Sequence, residues 1–86
     1  MTDERRTDFT AGPGGVMTDE VGVITGDLTL LTTVDSDGGV SQRVQYQQAD
    51  EWYHVTGAAT RLPAGSTIDE IHSMTVDQAR HGRTDG

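Results

Sequence analysis

The chain has 86 residues, is 33% hydrophobic, and carries 14 acidic against 6 basic side chains for a net charge of −8. That length gives one small domain with a thin core, for which a second copy or a partner would add buried surface. The absence of cysteine excludes a disulfide framework, a thiolate metal centre and a cysteine nucleophile.

Lysine is absent and Asp dominates the acids, a bias of GC-rich genomes or salt-adapted cytoplasm. Scattered basic residues in an acidic chain argue against direct nucleic-acid binding, because phosphate contacts need clustered Lys or Arg. The N-terminal residues are charged where a signal peptide needs an apolar core. No apolar run approaches the ~20 residues of a membrane span, so the expected location is the cytoplasm and no membrane contact is expected.

In chain order, residues 1–19 are polar and contain the Gly12-Pro13-Gly14-Gly15 cluster, which reads as a flexible N-terminal arm ahead of one domain over 20–82. The cluster lacks the preceding strand, following helix and Lys-Ser/Thr ending of a phosphate loop. Val21–Thr25 reads as a strand joined by a Gly26-Asp27 turn to the next. That register sets Val23 opposite Leu30 and Val21 opposite Thr32.

Leu28–Tyr46 is the organising hairpin. Leu28, Leu30 and Val34 share one parity, as do Val40, Val44 and Tyr46. A three-residue loop, Ser36-Asp37-Gly38, pairs Val34 with Val40, Leu30 with Val44 and Leu28 with Tyr46, whereas a two-residue loop would split the apolar face. After a polar turn, Trp52–Thr56 reads as a fourth strand, with Gln47 opposite Trp52 and Val44 near Val55. Residues 57–62 either leave the sheet or extend it.

Thr67-Ile68-Asp69-Glu70 is a capping-box pattern that starts a helix. Ile68, Ile71, Thr75 and Ala79 form its apolar stripe, Gly82 stops it, and 83–86 form a loose tail. The expected fold is therefore α+β: an antiparallel β-meander of about four strands, with one C-terminal helix packed on one face.

Chemical motifs are sparse. Asp35-Ser36-Asp37-Gly38-Gly39 opens like a calcium loop, but Tyr46 stands where the bidentate Glu belongs. His54, His72 and His81 are potential metal ligands, and Asp69 lies one helical turn before His72, but spacing alone is weak evidence and no dedicated metal site is expected. No nucleophile elbow, His-Glu zinc motif or paired carboxylates in an apolar setting can be picked out, so neither enzyme activity nor a cofactor is expected. The informative feature is the sheet face away from the helix, where Leu31, Arg43, Gln45, Gln47, Trp52 and His54 gather; Trp and Arg are enriched at binding hot spots. The expectation is a small non-enzymatic interaction or regulatory module that binds a protein partner or a second copy through this face. The alternative is a nucleic-acid-associated regulator from a salt-adapted host.

Overall fold

Alternation of apolar residues and a cleanly capped helix build most of the architecture. The computed structural model describes residues 2–81. Its elements are β1 (Asp3–Thr10), β2 (Val16–Thr18), β3 (Gly22–Ile24), β4 (Asp27–Val34), β5 (Val40–Tyr46), β6 (Tyr53–His54) and α1 (Ile68–His81). Strands β1, β4, β5 and β6 form, in that order, a four-stranded antiparallel sheet, and β2 pairs with β3 in a two-stranded ribbon.

The β4–β5 hairpin has the register that its apolar pattern requires: Val34 opposite Val40, Leu30 opposite Val44 and Leu28 opposite Tyr46. Its loop closes through Gly38 at a φ of 83°, with Asp35 and Gly39 joined by a 2.9 Å backbone hydrogen bond. The Asp35 carboxylate accepts from the backbone N–H groups of Asp37 and Gly39 at 2.9 and 2.8 Å, so the motif that opens like a calcium loop spends its first carboxylate on the turn itself.

The N-terminal segment differs from the expected mobile arm. Asp3–Thr10 is a full edge strand, with Phe9 opposite Leu28 and Thr7 opposite Leu30, and Phe9 is buried. It takes the place beside β4 that Val21–Thr25 was expected to fill. Strand β3 instead pairs back on β2, so Val21 and Val23 are exposed rather than set against Thr32 and Leu30. The reason lies in the glycines: Gly22 and Gly26 have φ of 75° and 94°, and with β4 starting at Asp27 the chain turns a corner instead of closing a two-residue hairpin.

Strand β6 is displaced by two residues from the expected register. Tyr53 faces Val44 and His54 faces Arg43, so Gln47 is not opposite Trp52 and Val55 is not opposite Val44. A shift of two keeps every side chain on its expected face. Residues 57–62 neither simply leave nor simply continue: the chain loops out at Gly57 and returns to the β5 edge, where Val40 donates to Thr60 and Leu62 to Gly38, each at 2.9 Å. The other side of β6 is covered by β2 through Asp19 to His54 and Thr56 to Met17 hydrogen bonds, each 3.0 Å.

Helix α1 begins with the capping box, Glu70 N–H donating to Thr67 Oγ1 and Thr67 N–H to Glu70 Oε1, each 3.2 Å. Its buried line is Ile68, His72 and Val76; of the expected stripe Ile68 is buried, and Ile71, Thr75 and Ala79 flank that line half-buried. The expected Gly82 stop and the 83–86 tail lie outside the described residues. Near the helix end, Gly12 donates to the Ala79 carbonyl at 2.8 Å, which ties the β1–β2 connection to it.

Two apolar clusters result: Phe9, Val16, Ile24, Leu28, Leu30, Val44 and Val76 in one, and Val34, Val40 and Ile68 in the other. A polar belt joins the helix to the same sheet face. His72 bonds Thr7 Oγ1 at 2.7 Å through Nε2 and Thr32 Oγ1 at 2.8 Å through Nδ1, and the Gln42 amide donates to Thr32 at 3.1 Å and to Thr75 at 2.9 Å. Because Thr32 accepts from Gln42, its own hydrogen is available to Nδ1. The network thus assigns a neutral His72 with its proton on Nε2.

Protonation of His72 would strand the Thr32 hydrogen and bury a charge. Burial first, then the Arg5 guanidinium, holds the His72 pKa below the ordinary imidazole value, against the pull of Asp69. A His with a depressed folded pKa contributes stability that is complete above about pH 6.5 and is lost as pH falls through the folded pKa. Wild type should therefore have a lower urea midpoint at pH 5 than at pH 7.5, and His72→Gln should flatten that difference. Equal slopes in the two proteins would contradict the assignment.

Candidate functional site

Strand parity sends Arg6, Asp8, Leu31, Arg43, Gln45 and His54 to the face opposite α1. Read across β1, β4, β5 and β6, one row is Arg6, Leu31, Arg43, His54, and the next begins Asp8, Thr29, Gln45. Leu31 and Thr29 are only 6% and 5% exposed although α1 packs on the opposite face of the sheet. Long side chains supply the cover. Arg6, which starts opposite Leu31, reaches the Trp52 ring with its guanidinium carbon 5.5 Å from the ring centroid, a cation–π distance. Arg43, on the other side of Leu31, is half-buried, and its Nε is buried without a hydrogen-bond partner.

His54 is exposed but held: its backbone N–H donates to Glu20 Oε1 at 2.8 Å, and its Nδ1 lies 2.6 Å from Glu20 Oε2. These contacts, the side-chain one foremost, keep the Glu20 carboxyl below the ordinary glutamate value. The Gln45 amide donates to the Ala49 carbonyl at 2.9 Å, fixing the β5–β6 loop. Gln47 lies past the end of β5 and donates to the Leu28 carbonyl at 3.2 Å, away from Trp52.

The structure thus brings Leu31, Arg43, Trp52 and His54 together, ties Gln45 to the loop beside them, and leaves Gln47 apart. Arg6 and Glu20 were not among the expected residues, since both lie in or next to the segment read as an arm. The only hint was Phe9, a lone aromatic whose burial would bring Arg6 onto the opposite face.

The remaining histidines serve structure. His72 belongs to the buried belt, and His81 Nδ1 contacts its own helix at the Asp77 carbonyl, 2.7 Å away. Among the described residues no three His, Asp or Glu side chains are grouped as a metal set, and no helix is long and apolar enough to cross a membrane.

Trp52 is half-buried rather than fully exposed. Trp52→Ala should cost about 1–2 kcal/mol, from partial burial and the exposed cation–π contact, against ~3–5 kcal/mol for a core aromatic. Urea denaturation checks this; a loss in the core range would place the ring inside the fold.

No protein-family model, curated protein or solved structure shows a significant match to this chain.

Proposed function

We propose that the protein is a small non-enzymatic interaction module that binds a protein segment bearing an acidic side chain through the outer face of its sheet. One observation carries the reading: Arg6 and Arg43 flank Leu31, and among the described residues neither has a carboxylate within ion-pair distance, although the chain has 14 acids. By contrast Arg5, one residue away on the other face, is paired with Asp69 at 2.6 Å. A guanidinium whose Nε is dehydrated and unpaired gains from a planar carboxylate that satisfies it, and the aromatic beside it offers apolar area at low entropic cost. The chain's overall negative charge is screened beyond about 8 Å at physiological ionic strength, so these two cations act locally.

Trp52 is the only tryptophan, which makes its fluorescence a direct reporter. Titration with short peptides carrying Asp or Glu beside an apolar residue should change that fluorescence, and Lys-containing counterparts should not. Arg43→Gln should abolish the response while leaving the urea midpoint nearly unchanged. A response to mixed-sequence oligonucleotides that weakens steeply with salt, without one to acidic peptides, would favour the nucleic-acid alternative and overturn this one.

A further inference from the structure

The sheet has two ends, and they are treated differently. Beyond β5 the chain from Tyr53 to Leu62 and then β2 supply hydrogen-bond partners. At the other end β1 is an eight-residue edge with no neighbouring strand on its outer side among the described residues, where the Glu4 carbonyl accepts from the Arg5 guanidinium at 2.8 Å. Its outward backbone groups can be assigned from the ladder. Gln47 donates to the Asp27 carbonyl, so odd residues of β4 face β5 and even ones face β1. The register pairs those even residues with Asp3, Arg5, Thr7 and Phe9. The N–H and C=O groups of Glu4, Arg6, Asp8 and Thr10 therefore point away from the sheet.

We infer that this edge pairs antiparallel with β1 of a second copy of the chain, centred on Thr7, to make one continuous eight-stranded sheet. A two-fold axis normal to a sheet keeps faces together, so only residues of like parity can be opposed. Charge then selects among the allowed registers. A centre on Arg6 would oppose Glu4 to Asp8 and Arg6 to itself; one on Arg5 would oppose Arg5 to itself; one on Asp8 would oppose Asp8 to itself. The centre on Thr7 sets Arg6 against Asp8 of the second copy twice, and Glu4 against Thr10 twice, with no like charges opposed.

About eight new backbone hydrogen bonds would follow from the four outward pairs. Charged edges normally repel unrelated strands, and here the same charges favour the Thr7-centred register, which pairs opposite charges twice, over those that oppose like charges. The two outer faces would lie side by side on one surface. The inference shares Arg6 with the acidic-segment reading, and its readout, the mass in solution, is separate from the Trp52 fluorescence that tests that reading.

The test is sedimentation equilibrium on the full chain from micromolar to millimolar concentration. Wild type should be in monomer–dimer equilibrium. Arg6→Asp and Asp8→Arg alone, which oppose like charges twice, should each weaken dimerisation about tenfold or more. The double variant R6D/D8R should restore it to within about threefold of wild type, since the swap preserves both pairs. Both residues are exposed, and circular dichroism of each variant verifies the fold before the masses are compared. A wild type monomeric throughout, single variants that dimerise as wild type does, or a double variant that fails to recover would each overturn the proposal.

Discussion

Gly15→Val should cost the domain about 2–5 kcal/mol, a large share of its stability at 25 °C. Gly15 is buried at φ 65°, where the chain enters β2, and a β-carbon there would run into the Ile24 carbonyl and come within 2.8 Å of both Thr25 Cγ2 and Val23 Cγ1. The carbonyl belongs to the paired β3 backbone and cannot swing aside. A β-branched residue in the left-handed region costs about 1–2 kcal/mol, and overpacking adds about 1–3. A domain of this size has about 4–13 kcal/mol in total. Gly26→Ala is the control: its φ of 94° brings backbone strain, but nothing lies within 4 Å of the added carbon. Urea midpoints should drop far more for Gly15→Val, and similar midpoints would show that the β2–β3 ribbon does not lie against Gly15 as described.

Thr32→Val removes one oxygen and is expected to cost about 2–4 kcal/mol. The side chain is fully buried, and its hydroxyl receives the Gln42 amide while serving His72 Nδ1. Valine keeps the shape but leaves His72 Nδ1 without a partner and the Gln42 amide with only its Thr75 bonds, each loss costing about 1–3 kcal/mol. The effects within the belt should not add. Combining Thr32→Val with His72→Leu should cost clearly less than the sum of the single changes, because the second substitution removes a group that the first has orphaned. Additive losses in a double-mutant cycle would mean that the belt is not one network.

The hairpin, its loop and the helix start were legible because each rests on contacts between near neighbours in sequence: alternation over Leu28–Tyr46, glycine at Gly38, and Thr67 three residues before Glu70. Strand β1 was not, and the physical reason is its neighbour. The helix meets it through polar groups, Asp69 on Arg5 and His72 on Thr7, so the inward positions need no apolar residue except Phe9 and the period-2 signal vanishes. Similarly, Val21 and Val23 looked like core residues but lie on a ribbon that leaves them exposed, and β-propensity alone carries no information about the partner. For the candidate site, parity placed Arg43, Trp52 and His54 on one face, since the two-residue slip in β6 preserves it. Their actual neighbours, Arg6 and Glu20, could be placed only once β1 and the ribbon were known.

The seating of α1 on β1 also bears on the time course of folding. The ends of the β4–β5 hairpin loop are separated by a few residues, whereas Arg5 and Asp69, or Thr7 and His72, are 64 and 65 residues apart along the chain. Loop-closure entropy makes the distant contacts dearer by about 2 kcal/mol before any attraction is felt. By that ordering the hairpin is expected to form first, on the microsecond scale of hairpins, and the terminal elements to close on it last. Interactions absent from the rate-limiting state act on the unfolding rate rather than the folding rate. If they form after that state, the polar contacts between helix and edge strand act as a latch, setting how long a molecule, once folded, stays so.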